Sequence, residues 1–376
     1  MSEDKITIDC DFPGGNIVLD AIEWDTIHLH QDLRDTEIDW FYWYFRLRGA
    51  AGRNVKIHFT GSDAIGVRGP AVSLDRGQRW RWLGLEYVEG QTFSYLVPLN
   101  SQEVRFSFGM PYVQANFEDF MRKYPRHPGL RQDVLCKSRK GRPVELLYAG
   151  HLGGKADYHV LLTCRHHCCE MMASYSLEGM IDKVMEDSDT GRWLREHVAF
   201  LVVAFMDKDG VEDGDQGKRR RPHDHNRDYG SESIYPEVRA LRELTSRWSD
   251  NKLDFFLDLH CPWMRGDYHE FIYFVGDRGQ VLWPKVEAFS AILEATRKGP
   301  LPYLRKNNLP FGKDWNTGDE TGRSSSEWAS ELFGIRFTSG IEIPYANASG
   351  VPVTAESARA FGVDLGSALA LFLQSS

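Results

Sequence analysis

Three short segments of this 376-residue chain carry side chains that bind metal ions and move protons. The first is Cys164-Arg165-His166-His167-Cys168-Cys169-Glu170, which follows the apolar run 158–163. Here His167 and Glu170 have the spacing H-x-x-E. At a strand-to-helix junction that spacing lets an imidazole and a carboxylate converge on one point, a combination suited to zinc. Cys164, His166, Cys168 and Cys169 are rivals, as ligands or as packing near a strand end. The second segment, Asp258-Leu259-His260, closes the apolar run 253–257 and offers His260 as a third ligand. Three protein ligands leave a fourth position for water, the arrangement of a catalytic rather than a structural zinc. The third segment, 339–345, holds Glu342 within an otherwise apolar strand. A carboxylate buried there needs a cation or a cleft to face. A raised pKa in that setting suits a general base.

A further polar cluster, Asp224-His225-Asn226-Arg227-Asp228-Tyr229, follows the basic run Lys218-Arg219-Arg220-Arg221. The run is either a solvated loop or an anion site, because a guanidinium fork grips a carboxylate bidentately.

Elements must bring these segments together. The chain changes character near residue 110. Before it, short aromatic or alternating runs (16–23, 40–48, 54–60, 104–108) are separated by turn clusters such as Pro13-Gly14-Gly15. That pattern predicts an all-β sandwich over residues 1–112. Trp24, Trp40, Trp43, Trp80 and Trp82 lie there and are read as core packing. After a short helix at 116–123 comes an α/β domain over 113–376. A hairpin (134–137, 144–148) leads to strands at 158–163, 198–206, 253–259, 271–275 and 335–343. Helices are expected at 173–186, 284–298 and 355–373, the last capped by Thr354. Ser324-x-x-Glu327 is a capping box opening a helix to Phe333. Alternating strands and helices imply a mixed, largely parallel sheet with its site at the strand C-termini.

Composition excludes several classes. The formal charge of −9 argues against a nucleic-acid binder. The longest apolar run, 198–206, is about half a membrane span. The polar start Met1-Ser2-Glu3-Asp4-Lys5 does not read as a signal peptide. With six cysteines and no Cys-x-x-Cys pair, reduced thiols in the cytoplasm are expected.

His167-x-x-Glu170, Asn226-Arg227, His260 and Glu342 occur in the order found in zinc carboxypeptidases, and the chain resembles the cytosolic carboxypeptidase branch. The stretch Arg165–Ser174, the hairpin around Ser138-Arg139-Lys140-Gly141-Arg142-Pro143-Val144, and Trp40-Phe41-Tyr42-Trp43-Tyr44-Phe45 with Met110-Pro111-Tyr112 carry the resemblance further, over nearly the whole chain. It implies a zinc-carboxypeptidase fold preceded by a β-sandwich, with one zinc ion held by His167, Glu170 and His260. Glu342 would activate the zinc-bound water and protonate the leaving amine. Asn226 and Arg227 would bind the terminal carboxylate of a peptide or protein tail. Asp224 would accept a hydrogen bond from His167.

Two departures stand out. The oxyanion-stabilising arginine falls among Arg219, Arg220 and Arg221, with Arg220 the choice. The expected tyrosine is absent from 315–323. Arg323 would face the side-chain pocket and select acidic residues such as Glu. The competing readings are a zinc deacylase or amidohydrolase of N-acyl amino acids or cell-wall peptides, and a binding protein with a vestigial site. Oligomeric state is not legible.

Overall fold

The computed structural model describes residues 5–318 and 321–375. The start Met1–Asp4 and the pair Asp319-Glu320 within the tyrosine-free stretch lie outside them. Ten short strands come first: β1 Thr7–Asp9, β2 Val18–Glu23, β3 Thr26–His30, β4 Tyr44–Arg48, β5 Asn54–Phe59, β6 Ala71–Ser73, β7 Arg81–Trp82, β8 Val88–Glu89, β9 Thr92–Leu96 and β10 Glu103–Ser107. They form two five-stranded sheets, β1-β4-β10-β6-β7 and β2-β3-β5-β9-β8. Their inner faces meet through aromatic rings: Phe106 of one sheet packs on Phe93 at 5.2 Å and Tyr95 at 5.2 Å in the other. Trp43, fully buried, lies 4.8 Å from Phe59. The expected sandwich is present; Trp40 and Trp43 are buried, and Trp80 and Trp82 are half-buried against the core. Trp24 is the exception: it sits at the β2–β3 hairpin tip, 92% exposed.

Helix α1 (Gln114–Met121) leads into β11 (Leu130–Lys137) and β12 (Pro143–Gly150), the expected antiparallel hairpin. Then follow β13 (Tyr158–Cys164), α2 (Met171–Met185), α3 (Asp189–His197), β14 (Val198–Val203), α4 (Lys208–Asp213), α5 (Pro236–Trp248), β15 (Phe255–His260), β16 (Tyr273–Val275), α6 (Trp283–Thr296), α7 (Ser325–Ala329), β17 (Phe337–Glu342) and α8 (Ala355–Gln374). The seven strands order as β11-β12-β14-β13-β15-β17-β16, parallel across the β14-β13-β15-β17 centre and antiparallel at both edges.

Alternation along the central strands explains the layers. Val160 and Leu162 join the apolar cluster that contains α2, α6 and α8, whereas Leu161 between them joins the cluster with Val238 and Leu241 of α5 and Trp328 of α7. Central strands buried on both faces therefore read as unbroken apolar runs. The first cluster continues into the N-terminal sheets, with Phe108 edge-on to Tyr345 at 4.8 Å.

Helices α3, α4 and α5 are additional to the sequence expectation. In α5 the buried Val238, Leu241 and Thr245 recur at helical spacing behind a proline in the first turn. The helix after Ser324 has its capping box but stops at Ala329, short of Phe333, whose ring is 78% exposed. The run 40–48 is strand only from Tyr44.

Candidate active site

Register places the site. In the parallel pair β15–β17, His260 lies directly beside Glu342 at the strand C-termini. The next strand over, β13, ends at Cys164 and turns into α2 through Arg165, whose φ of 62° is left-handed. The buried Arg165 guanidinium ties this turn together, donating to the carbonyls of Cys168 and Tyr112 and to the Ser174 hydroxyl. The turn presents His167 and sets Glu170 at the N-terminus of α2, where backbone N–H groups favour a carboxylate.

His167, Glu170 and His260 converge, with one ligand atom from each within 4.8 Å of the others, all buried. Both imidazole Nδ1 atoms lean on the Glu170 carboxylate, at 2.8 Å from His167 and 2.7 Å from His260. Their far nitrogens also face carboxylates. His167 Nε2 lies 3.6 Å from Asp224, and His260 Nε2 lies 2.8 Å from Asp258. Burial alone would lower the pKa of both histidines, but these carboxylates more than offset it and raise both. Burial likewise opposes ionisation of Glu170, yet the two imidazoles hold it far below the usual carboxylate range. Two imidazoles and a carboxylate meeting at one point, each imidazole backed by an acid, is a donor set that fits zinc. The partnerless Glu342 Oε2 buried beside it fits a metal-bound water.

A second grouping, His166 with Asp258 and His260, also has metal-ligand geometry. Its chemistry is different. His166 is completely buried and both its nitrogens are engaged, with Asp258 at 2.8 Å and the Tyr229 hydroxyl at 2.7 Å. Asp258 also accepts from Thr163 Oγ1 at 2.8 Å and Ser325 Oγ at 2.7 Å. This is a hydrogen-bond hub that fixes the His260 ring. Cys164, Cys168 and Cys169 are buried free thiols, their pKa values pushed up chiefly by burial. The role of Asp258 goes beyond the sequence reading. The signal was there, since Asp-x-His in a strand puts both side chains on one face.

The convergent residues open onto a cleft of about 280 Å³, whose lining includes His167, His260, Glu342, Lys218, Asn226, Arg227, Arg278, Phe311 and Trp315. Burial pushes Glu342 up to about 7, against the opposing pull of His260. Asp224 caps the turn 225–227, accepting from the Asn226 N–H at 3.0 Å and the Arg219 N–H at 3.2 Å. Asn226 Oδ1 accepts from the Ser325 N–H at 3.1 Å.

Two sequence choices land elsewhere. Arg220 lines a separate cavity, where its guanidinium pairs with Asp35, Asp207 and Asp215 at 2.9, 2.5 and 2.9 Å. Left-handed φ at Arg219 (43°) turns the run there, so consecutive cations face different cavities: Lys218 and Arg219 the cleft, Arg220 and Arg221 the other. Arg323 is bound to the Glu331 carboxylate and the Glu327 carbonyl and is not among the cleft-lining residues. Trp315 lines the cleft on the stretch expected to carry a tyrosine. Among the described residues, no helix is long and apolar enough to cross a membrane.

No family model matches the chain. An uncharacterised protein of Zymomonas mobilis is 26% identical over 265 residues, covering 68% of this chain and 67% of that one. Mouse cytosolic carboxypeptidase 3 is 26% identical over 218 residues, and human cytosolic carboxypeptidase 1 is 26% identical over 164. The aligned regions span only 21% and 13% of those two longer proteins. Among solved structures, a metallo-carboxypeptidase from Burkholderia cenocepacia superposes with a TM-score of 0.79 at 20% identity, over 99% of this chain and 100% of that one. A Pseudomonas aeruginosa metallo-carboxypeptidase, solved with (2-guanidinoethylmercapto)succinic acid, gives 0.78 at 21% identity, over 98% and 99%. The chain has the fold of these metallo-carboxypeptidases, and in sequence it is similar to segments of the cytosolic carboxypeptidases.

Proposed function

We propose that this chain is a zinc-dependent carboxypeptidase that removes C-terminal residues from peptides or protein tails in the cytoplasm. In this proposal residues 1–112 form a sandwich domain ahead of the catalytic residues 113–376. The observation that carries it is the convergence of His167, Glu170 and His260 at the strand ends, one residue position across from Glu342. Zinc held by those three side chains would polarise the scissile carbonyl and lower the pKa of a bound water.

The chain's own groups do the rest. Glu342, buried and held near 7, takes the proton of the attacking water and delivers it to the leaving amine. Asn226 and Arg227, on the turn capped by Asp224, line the cleft and hold the substrate carboxylate. Asp224 and Asp258 orient the two imidazoles through their far nitrogens. A preference for an acidic C-terminal side chain is better supported at Arg278 than at Arg323. Arg278 lines the cleft, held by Glu327 at 3.2 Å and the Gly318 carbonyl at 2.9 Å.

The test is metal content together with turnover. Wild-type protein should bind one zinc and cleave peptides, whereas Glu342→Gln should keep the zinc and lose turnover. Zinc-loaded wild type that cleaves N-acyl amino acids but no peptide would refute the proposal. Peptides ending in Glu, Lys or Phe, with Arg278→Ala, test side-chain choice: equal rates in the wild type remove the acidic preference.

A further inference from the structure

Arg220, the sequence choice for meeting the charge that grows on the scissile carbonyl oxygen, is committed to three aspartates. We propose that Lys218 is the catalytic residue that stabilises this oxyanion; the role rests on the carboxypeptidase activity proposed above. Lys218 Nζ lies 3.6 Å from Glu170 Oε1, on the cleft that also exposes His167, His260 and Glu342. Its side chain is 24% exposed, and the ammonium sits 5.6 Å over the Trp40 ring, so it reaches the cleft from a wall rather than from solvent.

The backbone around Lys218 is built to hold it there. Gly217 has φ +76°, and a Cβ at this position would come within 2.4 Å of the Cys168 nitrogen and 2.8 Å of its Sγ. The loop therefore lies directly on the segment that carries His167, and the next side chain projects over Glu170. Asp35 receives the N–H groups of Gln216 and Gly217, each at 2.9 Å. The Gln216 amide donates to the carbonyls of Tyr42 and Asp32. On the other side, the Arg219 N–H is held by Asp224 and Arg220 by its three carboxylates. A donor fixed before reaction costs no reorganisation as charge develops.

The step balances. The water oxygen adds to the carbonyl carbon while its proton passes to Glu342, and the carbonyl π pair moves onto oxygen. The Lys218 ammonium donates a hydrogen bond to that oxygen and keeps its proton. On collapse the C=O bond re-forms, the C–N bond breaks, and the amine takes the proton from Glu342. Arg221 is no rival, being paired with Glu37 and 85% exposed. Arg219 also lines the cleft and is the competing group.

The experiment compares wild type, Lys218→Met, Lys218→Arg and Arg219→Met, all zinc-loaded. It measures kcat and KM on one peptide and, by calorimetry, the affinities for a phosphonate peptide analogue and for the released C-terminal amino acid. Lys218→Met should lose about 10²–10³-fold in kcat, as removal of an oxyanion donor does. It should lose phosphonate affinity by a similar factor and keep KM, product affinity and zinc content. Lys218→Arg should recover part of both losses. Full kcat in Lys218→Met overturns the assignment, as does a loss confined to Arg219→Met. Equal weakening of phosphonate and product overturns it too, because that marks a general electrostatic effect. A Gly217→Ala variant, which keeps Lys218 but displaces the loop that holds it, should lower kcat more than KM. A wild type without peptidase activity overturns the parent proposal, and this role with it.

Discussion

Replacing Asp258 by asparagine perturbs the site without touching the cleft. The carboxylate accepts four hydrogen bonds, from Thr163, His166, His260 and Ser325, all at 2.7 to 2.8 Å and away from solvent. One oxygen serves Thr163 and His166, the other Ser325 and His260. An asparagine amide has one acceptor oxygen, so whichever way it turns, one hydroxyl and one imidazole face an NH2 group. The hydroxyl can rotate away and the imidazole cannot. A buried donor left unpaired costs roughly 1–3 kcal/mol, and loss of a charged partner lies toward the upper end. The stability loss should be about 3 kcal/mol. If Nδ1 of His260 faces the metal, its Nε2–H donates to Asp258, and losing such a partner weakens metal binding roughly 10–100-fold. Zinc affinity by chelator competition and melting in chelator measure the two effects separately. A melting temperature that falls while zinc affinity stays within about twofold would refute the reasoning, since Asp258 would then be a packing residue alone.

Other consequences follow from the same geometry. Burial holds the Glu342 proton up to about 7, against an ordinary 4.5. The metal-free folded state therefore binds more protons than the unfolded chain between these values, and stability falls as pH rises through that window, by about 3 kcal/mol. Melting of metal-free Glu342→Gln should accordingly exceed wild type at pH 8 and match it near pH 4. Arg227→Met should raise KM on free-carboxylate peptides about 10–100-fold with a smaller effect on amidated ones, read by steady-state kinetics. Arg220→Met leaves Asp35, Asp207 and Asp215 without their shared cation and should destabilise the protein by about 3–5 kcal/mol, seen as a lower melting temperature with zinc still bound.

The layout of the site was legible where local pattern and tertiary position coincide. His260 and Glu342 each end or interrupt an apolar strand, and a polar residue at the C-terminal end of a buried parallel strand has few places to go but the site. His167 and Glu170 are read from spacing because the turn between strand and helix is short. The basic run 218–221 failed for the opposite reason. Its side chains are parted by a backbone turn with left-handed φ at Arg219 and by Asp207 and the sequence-distant Asp35, none of which a run of four cations announces. Arg323 was misplaced in the same way, drawn off by Glu331. Helix α5 is absent from the sequence expectation although its apolar spacing signals it. The early end of α7 was not legible, since Phe333 looked like a buried continuation and is exposed instead.

The most direct measurement is the rate at which the zinc-loaded protein cleaves one peptide with a free C-terminus and the same peptide amidated. Asn226 and Arg227, lining one cleft with His167, His260 and Glu342, predict release of the C-terminal residue from the free peptide at least about 100-fold faster. Equal cleavage of the two, or cleavage of neither, would contradict a carboxypeptidase.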